Sequence, residues 1–254
     1  MLKLDSVKSL LNRIELQREK QKDYRNVVAT QIVIVTLGLT LYSPLLGDPN
    51  SDVSKLLITL FSGFGGLYAF LLWDLLRNFT QSKILIVTIF FVLVSITIFG
   101  ILIEFPYYKV IEIQNRQAAL FAIHGFLFPI EVIVISYAIR DIFMGQYFTI
   151  DKLWGSACVF LMIGISFGSL YDLICISMPG SLGADIPLGI PNYSECVAYS
   201  FHVLGGIDTD YPDAHKLIKN ISVIEAVWGT LFTVLIIGNL MIKPKPPEEN
   251  QPEN

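Results

Sequence analysis

The sequence predicts an all-α integral membrane protein with six transmembrane helices and a short re-entrant segment between the fifth and the sixth. Three observations lead there. The 254 residues are 53% hydrophobic and 16% charged, with a mean hydropathy of +0.59, which is more apolar sequence than a soluble core requires. Six continuous apolar stretches each approach the roughly 20 residues that a helix needs to cross a bilayer core about 30 Å thick. One segment between two of them is much longer than the other connections, and long connections tend to carry function.

The elements follow in order. Residues 1–26 form a charged segment with seven basic residues, Lys3, Lys8, Arg13, Arg18, Lys20, Lys22 and Arg25. Leu4, Val7, Leu11 and Ile14 recur among them at helical spacing. The segment reads either as a topology-setting flank or as an interfacial helix on anionic headgroups. Spans are predicted at 27–46, 56–76, 84–103, 118–139, 153–177 and 220–242, bounded by turn formers such as Gly47-Asp48-Pro49-Asn50 and Pro179-Gly180-Ser181. The first four make a peripheral bundle, 27–152, and the last two enclose a second unit, 153–242. The proline-rich, charged tail 243–254 is expected to be disordered.

Continuous apolar runs exclude the alternating ten-residue segments of an outer-membrane barrel. The first run is too long for the apolar region of a cleaved signal peptide, and no small-residue cleavage site follows it. Short basic loops stay cytoplasmic. With six crossings, 13 of the 18 basic residues fall on one side, so both termini are expected in the cytoplasm of a multi-pass cell-membrane protein. With no soluble domain left over, the net charge of −4 says little about soluble partners, and no basic nucleic-acid patch is apparent.

The long segment holds the richest pattern. Asn192 followed by Glu195 resembles a capping box, and Gly205-Gly206 is a natural helix stop. About twelve helical residues rise roughly 18 Å, half a bilayer. Such a half-helix with extended backbone after it is tolerated at membrane depth where it is buried in protein or lines water. This is the geometry of a pore loop, with a helix C-terminus favouring a cation. Asp208, Asp210 and Asp213 would add carboxylates at its outer mouth. A surface loop with one amphipathic helix is the alternative from the residues alone.

Residues 198–240 resemble the pore helix, filter and inner helix of the bacterial potassium-channel family with two pore-domain helices per subunit. That family reads approximately S-F-x-T-L-T-T-[LV]-G-[YF]-G-D-[IV]-x-P, then L-E-A-x-x-G. Here Leu204-Gly205 matches the first filter glycine, Asp208 the aspartate after the filter, and Ile224-Glu225-Ala226 with Gly229 the inner helix. The resemblance implies a homotetrameric cation channel with a filter region of Val203, Leu204, Gly205, Gly206, Ile207 and Asp208. It makes Glu225 a support for the pore helix and Gly229 a gating hinge. Val203 stands at the filter threonine, Gly206 at the aromatic and Ile207 at the second glycine. Val203 lacks the ion-coordinating hydroxyl, and Ile207 resists backbone angles that glycine permits. The expectation is therefore a weakly selective pore for potassium or sodium, with the monovalent cation as cargo and no cofactor. A non-conducting relative is a further alternative.

Other residues bound the reading. The fourth span lacks a ladder of arginines, so conventional voltage sensing is not expected. His124 and Glu131, seven apart on one helix face, form either a candidate pH-sensing pair or a structural hydrogen-bonded pair. Asp74 and Asp172 lie near span ends, where interfacial placement is the ordinary account. Gly164-Ile165-Ser166-Phe167-Gly168 matches the hydrolase pattern G-x-S-x-G. Inside an apolar span it reads instead as a small-residue packing face, and no enzymatic activity is expected. Cys158, Cys175 and Cys196 are too scattered for zinc. Cys175 and Cys196 are either free or bridged. The competing class is a secondary transporter with a helix broken near Gly205 and with His124 and Glu131 carrying protons. Partners are expected to be further copies of the chain and membrane lipid.

Overall fold

The structure is a computed structural model that describes residues 2–41, 52–104, 115–143 and 150–241. The tail at 243–254 and the turn at Gly47 to Asn50 lie outside them, as do the side chains of Leu4, Val7, Leu11 and Ile14. Among the described residues all regular structure is helical: α1 (Leu2–Leu41), α2 (Asp52–Phe79), α3 (Lys83–Glu104), α4 (Arg116–Phe143), α5 (Ile150–Ser177), α6 (Ile190–Gly205) and α7 (Lys216–Met241).

Five helices, α2, α3, α4, α5 and α7, are long and apolar enough to cross a membrane. The stretch expected as the first span continues α1, a single 40-residue helix that begins in the charged segment. Residues 42–46 of that stretch lie outside the described residues. The charged segment and the first apolar stretch are thus one element, because no glycine or proline separates Lys22 from Val28.

Helix α5 is the central post. In its most apolar window 67% of residues are buried, against 11–22% for the other four, and it packs against α1, α4, α6 and α7. One apolar core joins α1 to α5 through Tyr24, Ile34, Phe61, Leu72, Leu93, Val134 and Met162. A second joins α5, α6 and the start of α7 around Tyr171, Cys196, Tyr199 and Ile218. Short polar contacts tie one end of the bundle: Tyr24 donates to Asp141 at 3.2 Å and Asn78 to Asp23 at 2.8 Å, while Asp74 pairs with Arg77 within α2 at 3.0 Å.

Glycines set the closest helix contacts. A β-carbon on Gly168 would lie 2.9 Å from the Val197 Cα, and one on Gly164 would lie 2.6 Å from the Phe201 ring. The small-residue face of α5 therefore seats α6. Gly38 of α1 lies against Ser194 on another side of α6.

Candidate functional site

Helix α6 has 16 residues, a rise of about 24 Å. It begins at the end of the bundle where α3 and α5 finish and α4 starts. Its last turn, at Leu204, lies against Gly164 of α5 and Gly229 of α7, near the midpoint of each helix. Gly206, at φ 64°, ends the helix in the left-handed conformation, its N–H directed to the carbonyls of His202 and Val203. The chain then returns to the end it came from. The His215 N–H donates to the Ser181 carbonyl at 2.7 Å, joining the segment after α6 to the segment before it.

The start of α6 differs from the sequence expectation. Its N-cap is Gly189, at φ 107°, and no side chain of the helix caps it, so the Asn192/Glu195 capping box is not formed. The cap comes from α3: Glu104 accepts the Ile190 N–H at 3.2 Å and is held by Arg116 at 2.7 Å. A carboxylate there complements the positive end of the helix. A β-carbon on Gly189 would displace that carboxylate, and the position needs glycine for its φ. Pro191 occupies the first turn, where a missing N–H costs little.

Asn192 and Glu195 face elsewhere. Asn192 donates to Asp172 of α5 at 2.5 Å, and Asp172 also faces His124 of α4 at 3.3 Å. Asp172 is 1% exposed, held between α4 and α6. Glu195 is buried and accepts from the Tyr211 hydroxyl at 2.6 Å. Burial pushes its carboxyl up to about 7, the Tyr211 hydrogen bond opposing and Asp210 adding to the rise.

Behind α6, Glu225 of α7 is fully buried. It accepts from Tyr171 of α5 at 2.6 Å and is hydrogen-bonded to Ser200 of α6, whose hydroxyl also lies 2.7 Å from the Gly164 carbonyl. One carboxylate thus links three helices. Gly229 faces Leu204 one turn further along. The buried positions of α7 (Ile218, Glu225, Gly229 and Phe232) form one stripe, and large apolar residues such as Val223, Val227, Trp228, Leu231 and Val234 are exposed.

The expected filter residues lie at and after the end of α6. Val203 and Leu204 are half-buried in the last turn, whereas Gly205, Gly206, Ile207 and Asp208 are exposed in a single chain, as are Asp210 and Asp213. Cys175 and Cys196 are free thiols 3.9 Å apart.

A second polar group lies within the bundle. Glu131 of α4 is 0% exposed, and neither of its oxygens has a hydrogen-bond partner. It does not meet His124, which is engaged by Asp172. Its neighbours are Ser169 of α5, Tyr68 of α2 and Tyr193 of α6, with Gln31 of α1 beside Tyr68. No motif or spacing marks Tyr68 and Gln31, which lie on two other helices.

Among the described residues these features define an all-helical fold with five helices long and apolar enough to cross a membrane, as in a multi-pass membrane protein. Comparison with protein-family models, with curated proteins and with solved structures yields no match.

Proposed function

We propose that the chain is one subunit of a homotetrameric, weakly selective cation channel of the cell membrane. The observation that carries this reading is the depth of α6, which ends beside Gly164 and Gly229 while its flanks meet through Ser181 and His215. A helix that enters from one end, stops halfway and is followed by an exposed return suits a re-entrant pore loop. Four copies would bring the 203–208 segments to a common axis, with α5 and α7 around them and α1–α4 outside. Asp208, Asp210 and Asp213 would raise the cation concentration at the mouth. The apolar part of α1 serves as the remaining crossing, which puts both termini in the cytoplasm. The similarity of residues 198–240 to the two-helix potassium-channel pore supports the same arrangement, and Val203 and Ile207 favour low selectivity.

Purified protein in planar bilayers is expected to give step-like single-channel currents carried by potassium or sodium, and a tetramer in mild detergent. Saturable proton-coupled uptake without current steps would instead favour a secondary transporter. That second reading draws on buried Glu131, since ionisable groups inside spans commonly serve ion movement.

A further inference from the structure

The Glu131 cluster lies in the bundle, away from the residues proposed to conduct. Three of its side chains have buried polar atoms without partners: both carboxylate oxygens of Glu131, the Tyr68 hydroxyl and the Gln31 amide. Glu131 and Gln31 are 0% exposed and Tyr68 is 3% exposed. Ser169 and Tyr193 stand beside the carboxylate, their hydroxyls 3.4 Å apart. Three helices besides α4 thus bring oxygen-bearing side chains toward one acid, and Gln31 of α1 lies beside Tyr68. Pro129 lies two residues before it in α4 and takes one N–H out of the helix ladder.

An unpaired buried carboxylate is costly, and water satisfies its hydrogen bonds without cancelling its charge. Cancelling the charge takes a proton or a metal cation. Tyr68 and Tyr193 are the titratable groups that face Glu131 from α2 and α6, and Cys158 of α5 lies against Tyr68. No lysine or arginine is among these neighbours; His124 faces Asp172 at 3.3 Å, and its ring lies 5.0 Å from that of Tyr193.

We propose that Glu131 is the anionic ligand of a dehydrated monovalent cation, sodium, with the Gln31 amide oxygen and the hydroxyls of Tyr68, Ser169 and Tyr193 as neutral oxygen ligands. All are hard oxygen donors, the class that alkali and alkaline-earth ions prefer. The single carboxylate matches a single positive charge, whereas divalent sites usually gather more acids. A proton competes for the same carboxylate. Bound there, the ion would join α1, α2, α4, α5 and α6, so that its binding is linked to the seating of α6.

Thermal unfolding of the full chain in detergent tests this, with sodium replacing choline at constant ionic strength. Near pH 8, raising sodium from about 1 to about 100 mM should raise the midpoint by about 5 °C, as expected for a ligand that binds the folded state. The shift should shrink near pH 6 and vanish in Glu131→Gln, an uncharged variant of the same shape. Sodium held in a central pore would shift wild type and Glu131→Gln alike, so that result overturns this site and leaves the channel reading intact. An equal midpoint in sodium and choline for wild type also overturns it. Tyr68→Phe and Gln31→Leu give a check independent of Glu131→Gln: each should weaken the sodium shift, and an undiminished shift in both would overturn the ligand set.

Discussion

The Ser200 hydroxyl of α6 and the Glu225 carboxylate of α7 are hydrogen-bonded to each other with both residues 0% exposed. With Tyr171 donating from α5, this bond fixes how far α6 extends into the bundle relative to α5 and α7.

Removing the carboxylate leaves the buried Tyr171 hydroxyl without its acceptor and Ser200 with the Gly164 carbonyl alone. Glu225→Ala is expected to lower stability by about 2–4 kcal/mol, and Glu225→Gln, which keeps an acceptor, by about 1 kcal/mol. Tyr171→Phe should cost much less in the Glu225→Ala background than alone, because the two groups share one network. Thermal unfolding of the four proteins in detergent measures the coupling, and simple additivity would contradict it.

Gly168 and Gly63 make an opposed pair of substitutions. A side chain at Gly168 meets the Val197 backbone, whereas nothing lies within 4 Å of a β-carbon at Gly63. Gly168→Val should destabilise by more than about 3 kcal/mol, since backbone cannot step aside as a flexible side chain can. Gly63→Ala should be neutral or stabilising by up to about 1 kcal/mol. Size-exclusion profiles after graded heating would rank the two.

Glu195 gives a pH dependence with a definite sign. Its carboxyl is raised from an ordinary value of 4.5 to about 7, so the folded protein favours the neutral acid. The stabilisation is present in full below about pH 4.5 and is lost as pH rises through about 7. The melting temperature should fall across this window in wild type and fall less in Glu195→Gln. Equal pH profiles for the two would remove the role assigned to burial.

Asp208 tests the mouth of the proposed pore. Asp208→Asn is expected to reduce single-channel cation conductance severalfold at low salt and little near 1 M, where the Debye length shrinks to about 3 Å. A conductance unchanged at low salt would show that this carboxylate does not concentrate ions.

Part of this was legible in the sequence because it rests on local pattern. Apolar runs foretold the long helices α2 to α5 and α7, Gly205-Gly206 marked the stop of α6, and Gly164 with Gly168 marked a packing face. What the sequence hid depends on contacts between distant positions. The cap of α6 comes from Glu104, 86 residues away, so Asn192 and Glu195 matched a local motif and found other partners. His124 and Glu131 share a helix face by spacing, but Asp172, held by Asn192, engages the histidine, which meets the Glu131 group only through the Tyr193 ring. The join between the charged segment and the first apolar stretch lacked a breaker to read, and one helix resulted.

That join has a mechanical consequence. A helix of 40 residues measures about 60 Å, twice the thickness of a bilayer core, so α1 is longer than one crossing requires. Near its other end, Gly38 rests on Ser194. A tilt imposed on the charged half has no joint at which to dissipate before it reaches the base of α6. The helix is a stiff rod whose tip rests on α6.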